Sequence, residues 1–91
     1  MTDYSKVPGS DAMRSAVKLY IEKGVIPGHF LQAVIANNLL DAVSRADPQN
    51  LALLPEWARF FWNEVPPDCW LSRKAMTDWH DAGGLQGQGV A

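Results

Sequence analysis

The chain has 91 residues, 47% of them hydrophobic and 20% charged, with a formal net charge of -2. That length suits one domain, which on folding would bury about 64% of the surface its extended chain exposes, enough for a modest core without metal or disulfide support. Scattered basic residues argue against a phosphate-binding stripe, dispersed acidic ones against a DNA mimic, and the lack of any apolar run near the roughly 18 residues a bilayer demands against a membrane span.

Residues 1–9 (Met1 to Gly9) carry no basic region followed by an apolar segment, so no secretory signal is read and a cytoplasmic location is expected. They are expected to form a flexible arm ending at Pro8-Gly9. Ser10 is a good N-cap, and Asp11 places negative charge in the first turn, where it suits the helix dipole. Met13, Ala16, Val17 and Tyr20 recur at helical spacing, and Gly24 is a natural terminator. The first helix is therefore expected over 11–23.

Pro27 suits the first position of a second helix, in which Phe30, Leu31, Val34 and Ile35 form a wide apolar stripe. Asn37-Asn38 can be read in two ways. The helix runs straight through, or Asn38 caps a new one with Asp41 at its third position. The break is favoured, giving a third helix over 39–46 that buries Leu39, Val43 and Ala46.

Asp47-Pro48 restarts the chain as an N-cap followed by proline. From there to Val65 the chain reads as one helix, kinked or restarted at Pro55, which removes a backbone hydrogen bond. Leu51, Leu54, Ala58, Phe61, Trp62 and Val65 make its main stripe. Leu53, Trp57 and Phe60 gather on a second side, about 180–240° from Leu51 on the wheel. Either this helix is central and wrapped on most sides, or its second apolar side is exposed for a partner. Large aromatics beside an arginine are what binding hot spots favour, so Leu53, Trp57, Arg59 and Phe60 are the first candidate binding patch.

Pro66-Pro67 ends the segment, and Asp68 to Leu71 reads as a turn that tucks Trp70 inward. Ser72 caps a last helix over 73–82, stopped by Gly83-Gly84. Trp79 and His80 on it form a second candidate patch. Residues 84–91 are expected to be a flexible tail. The fold expected is an all-α compact bundle of four to five short helices, spanning 10–83, around the kinked helix at 48–65.

Catalytic chemistry finds little support. Zinc sites take about four ligands, and the chain offers only His29, His80 and Cys69 beside its carboxylates. Cys69 with His80 could be a nucleophile and base, but a single turn cysteine beside a tryptophan reads better as a small packed hydrophobe. It also cannot form an internal disulfide. The glycines of 83–89 follow a helix and have no lysine, so they do not make a phosphate loop. No enzyme, metal or cofactor is expected. The two helices around Asn37-Asn38 invite comparison with a DNA-binding helix-turn-helix, yet the second offers only Ser44 and Arg45 beside Asp41.

The run Leu19-Tyr20-Ile21-Glu22-Lys23-Gly24-Val25-Ile26-Pro27-Gly28-His29-Phe30-Leu31-Gln32-Ala33-Val34 resembles a family of short uncharacterised helical proteins encoded by bacteriophages and prophages. So do Asn37-Asn38-Leu39, Ser44-Arg45-Ala46-Asp47, Pro55-Glu56, Asn63-Glu64-Val65-Pro66 and Cys69-Trp70. The resemblance covers residues 18–82 and implies origin more than activity, with no functional residues to carry over. It implies a small accessory protein that binds a host or phage protein stoichiometrically in the host cytoplasm, including the anti-CRISPR class of defence inhibitors. The alternatives are a nucleic-acid-binding regulator and a homo-oligomeric assembly factor, a homodimer being its simplest form.

Overall fold

A computed structural model describes residues 2–88. Seven α-helices and two 3-10 turns make up its regular structure, with no strand among the described residues. They are α1 (Asp11–Lys23), α2 (His29–Ile35), α3 (Leu39–Arg45), α4 (Pro48–Ala52), α5 (Leu54–Glu64), α6 (Arg73–Ala82) and α7 (Gly84–Gln88). The accessible surface of 5416 Å² agrees with the roughly 5,300 Å² that a folded chain of this mass should keep.

Local chemistry sets most of the boundaries. Ser10 Oγ accepts from Met13 N at 3.3 Å, and Gly24 closes α1 at φ 75°, in the left-handed region that glycine enters without strain. The expected break between α2 and α3 is present. Asn37 turns the chain at φ 60°, and Asn38 Oδ1 accepts from Asp41 N at 3.2 Å as the cap of α3. Asp47 Oδ1 accepts from Asn50 N at 2.7 Å, with Pro48 behind it at the first position of α4.

The segment 48–65 does not run as one helix. Leu53, at φ -93° and ψ 5°, leaves helical geometry between α4 and α5, and Pro55 stands in the first turn of the restarted helix. The interruption is local: Leu53 N donates to Gln49 O at 3.1 Å and Trp57 N to Leu53 O at 2.9 Å across it, and the buried side carries on from Asn50 of α4 into α5. Trp57, Phe60, Phe61 and Val65 point inward, while Ala58 and Trp62 point outward.

The core joins these side chains to Val17, Tyr20 and Ile21 of α1, Phe30, Leu31, Ala33 and Ile35 of α2, and Met76 and Trp79 of α6. Trp57 lies at its centre, edge-on to Phe30 and Phe60 with centroids at 6.1 and 6.5 Å. Its indole N–H donates to Asn50 Oδ1 at 3.2 Å, so the one polar atom of the ring is satisfied from α4. Tyr20 O–H donates to Cys69 O at 2.6 Å, and Trp79 Nε1 donates to Tyr20 O and Ile21 O at 3.0 and 3.1 Å. These bonds fasten the Pro67–Cys69 turn and α6 to α1.

Residues 2–9 and 84–88 take part in the fold more than the sequence suggests. A 3-10 turn occupies Tyr4–Lys6, Thr2 is buried, and Val7 belongs to the core. Residues 2–7 of the expected flexible arm thus pack on the domain, and Met1 lies outside the described residues. At the other end, 84–88 form α7 against α1. A Cβ built on Gly84 would stand 2.5 Å from Gly24 N, so glycine is what permits this approach. The remainder of the expected tail, 89–91, lies outside the described residues.

Candidate functional site

The first expected binding patch is overturned by burial. Trp57 is 0% and Phe60 3% exposed, and Leu53 is half-buried against the same core. Their side of α5 is the one that packs on α2, so the second apolar side of the helix is the core side. Trp79 is likewise core, held by its two bonds to α1. His80 is exposed, but its Nδ1 lies 2.7 Å from Gly24 O. That carbonyl can only accept, so Nδ1 carries the hydrogen and the ring ties α6 to the end of α1. Of the six residues singled out, only Arg59 opens onto a surface feature that could receive a ligand.

That feature is a groove of about 400 Å³ between the α2–α3 corner and α5. Its floor is built from small or aromatic side chains: Ala33, Ala42, Ala58 and Phe61. Short side chains on α2, α3 and α5 leave the volume unfilled, and Phe61 closes the bottom. Trp62 and Trp70 form one wall, edge-on at 6.2 Å, with the Trp70 N–H donating to Val65 O at 3.2 Å. Leu39 stands on the opposite wall, and Asn37, Asn38, Asn63 and Arg59 supply its polar atoms.

The third helix presents the largest departure from the sequence reading. Of the three side chains expected to be buried there, Leu39 is 63% exposed, Val43 is also exposed and Ala46 is half-buried; Ala42 takes the core position instead. A helix of seven residues has room for about one buried face, and Ala42 lets α3 sit close on α2. Leu39, Leu40 and Val43 then fall within about 100° of one another on the outer face. Leu40 is 81% exposed and Trp62 across the groove 75%. The sequence carried no signal for the exposure of Trp62, since it shares its apolar stripe with Phe61 and Val65, which are buried.

Electrostatics around the groove are balanced. Asp41 Oδ1 pairs with Arg45 Nε at 3.0 Å on α3, and Glu56 Oε1 lies 3.9 Å from Arg59 Nη1 on α5. The outer face of α3 is therefore leucine and valine flanked by a neutral ion pair, which is unlike a helix that reads base edges.

The thiol idea also meets an obstacle. Cys69 is fully buried, its Sγ donates to Pro66 O at 3.3 Å, and burial pushes its pKa up to about 12. A thiol held neutral in this way is a poor nucleophile. Among the described residues no group of three His, Cys, Asp or Glu side chains is placed to hold a metal ion, and no helix is long and apolar enough to cross a membrane. Compared with known proteins, the chain matches no family model, and neither a curated protein nor a solved structure is detectably similar to it.

Proposed function

We propose that this is a small helical binding protein, not an enzyme, which acts by stoichiometric contact with a host or phage protein through the α3–α5 groove. The observation that carries the reading is the groove itself, with Leu39 and Trp62 standing in water on its walls and Leu40 exposed on α3 next to Leu39. Exposed apolar patches of this kind mark interaction sites more often than they occur by chance on a lone soluble domain. A rigid tryptophan beside an arginine is also the composition from which binding hot spots are made. The resemblance of residues 18–82 to short phage-encoded proteins supports a target in the host cytoplasm, a defence component of the kind anti-CRISPR proteins bind being one candidate class.

The test is capture followed by reconstitution. A protein captured by the tagged chain is purified and remixed with it, and the complex is weighed by light scattering. The expected result is a fixed 1:1 complex that Trp62→Ser and Leu40→Asp each weaken about tenfold or more and His80→Ala leaves unchanged. Equal capture by the wild type and by both the Trp62 and Leu40 variants would sink the proposal.

A further inference from the structure

We infer that a second copy of this chain covers the α3–α5 face in the free protein, as a two-fold symmetric dimer. The inference concerns the same face as the proposed function but does not depend on the identity of any partner; a partner has to displace the second copy to reach the groove.

Three properties of the face fit a second copy. The first is shape. An isologous contact needs a projection and a recess on the same surface, because each copy supplies both. Here Trp62 stands exposed on the wall of a recess of about 400 Å³, and Leu40 projects from α3 next to the lining Leu39; the recess has room for large side chains from the facing copy. The second is charge. Across a two-fold axis a patch of one sign would oppose itself, whereas the helices that border this groove carry balanced charge, Asp41 with Arg45 on α3 and Glu56 with Arg59 on α5. Such a patch selects neither a strongly acidic nor a strongly basic partner and can cross-pair with its own image. The groove's other polar atoms belong to Asn37, Asn38 and Asn63, whose amides both donate and accept and so suit pairing with their own kind.

The third property is area. Leu39, Leu40, Val43 and Trp62, at their observed exposures, offer roughly 500 Å² per copy, or about 1,000 Å² in total, the lower bound for a specific interface. A dimer at that bound should be reversible, dissociating within the micromolar range. Pairing removes from water the largest apolar side chains the monomer exposes, the feature a monomer carries at some risk of aggregation.

Sedimentation equilibrium on the full chain tests this directly. Dimerisation is expected to raise the average mass from the 10.1 kDa of the monomer toward twice that value between about 1 and 100 µM. Leu40→Asp is the decisive variant. Its carboxylate would stand in the first turn of α3, where the helix dipole favours negative charge, so folding is retained, while in the dimer it would be desolvated against leucine and tryptophan. It should weaken dimerisation at least about tenfold, and Trp62→Ser should do the same with an unchanged circular dichroism spectrum. A monomer at every concentration overturns the inference, as does a dimer that both variants leave intact. Binding to a partner is decided separately, by the reconstitution experiment, whichever of these results is obtained.

Discussion

Two sides of the same eleven-residue helix make opposite use of the same kind of side chain. On the inner side of α5, Trp57 sits between α2 and α4 with its ring dry and its N–H bonded to Asn50. On the outer side Trp62 stands in water, touching Trp70 by an edge. Hydrophobicity does not separate the two positions, since both are tryptophans on apolar stripes. What separates them is whether a polar partner waits for the indole nitrogen and whether large residues stand opposite. Trp57 has Phe30, Phe60 and Phe61 around it, whereas Trp62 faces the gap left by Ala33, Ala42 and Ala58.

The contrast predicts very different costs of mutation. Trp57→Ala should be the most damaging, costing about 3–5 kcal/mol through lost burial and the cavity left behind. Chains of this size are stable by about 5–14 kcal/mol, so thermal melting should show the loss of a large share of the total. A loss under about 1 kcal/mol would mean the inner side is not core. Alkaline pH tests the dryness of the same side. Cys69 has its pKa raised by burial from 9.0 to about 12, so the folded chain holds a proton that the unfolded chain releases. The stability this contributes is fully present below pH 9 and is lost as pH rises toward 12, on the order of 1 kcal/mol per pH unit. Urea melts at pH 8 and 10.5 should show the fall, and Cys69→Ala should flatten it. A slope unchanged by that substitution would contradict a buried neutral thiol.

Asn50→Leu should cost about 1–3 kcal/mol, because it leaves the buried Trp57 N–H without an acceptor. The test is a double-mutant cycle with Trp57→Phe, which has no N–H to strand: the penalty should shrink in that background. Additive penalties would show that the bond matters less than packing. A smaller effect of the opposite sign is expected at Leu71, which holds φ 91° while its N–H donates to Ile35 O at 2.9 Å. Only glycine enters that region freely, so Leu71→Gly should stabilise the chain by about 1 kcal/mol and raise the melting temperature by about 4 °C.

How much of this was legible in the sequence depends on the distance over which each feature is decided. Caps at Ser10, Asn38, Asp47 and Ser72, the Gly24 and Gly83 stops, and the break at Asn37 depend on residues within one turn, and all are present in the structure. Faces are decided across the fold. On the wheel of 48–65 the buried side is centred on Trp57, between the two apolar groups, so Phe61 and Val65 of the main stripe lie inside with Trp57 and Phe60, while Trp62 at the edge of that stripe lies outside. Ala42 displaced Leu39 from the core for a similar reason, because the close approach of α2 to α3 belongs to no single segment. The packing of 2–7 and of 84–88 was hidden for want of any apolar run longer than Val7 or Leu85. Arg59 is the residue of the expected patch that the groove retains.

The smallest expected effect is the most discriminating. Trp62→Ser should change stability by only about 0.5 kcal/mol. Burial contributes in proportion to the area removed from water, and a ring 75% exposed has removed little. The edge contact with Trp70 is of a kind worth about 0.5–1.5 kcal/mol when dry, and here the lower figure applies because Trp62 is largely wet. A melting temperature within about 3 °C of wild type, measured well below the dimerisation range, would place the ring outside the core. A loss near that of Trp57→Ala would show that Trp62 supports the monomer's own fold. The groove would then be an imperfectly filled part of the core, with no surface to spare for a partner or a second copy.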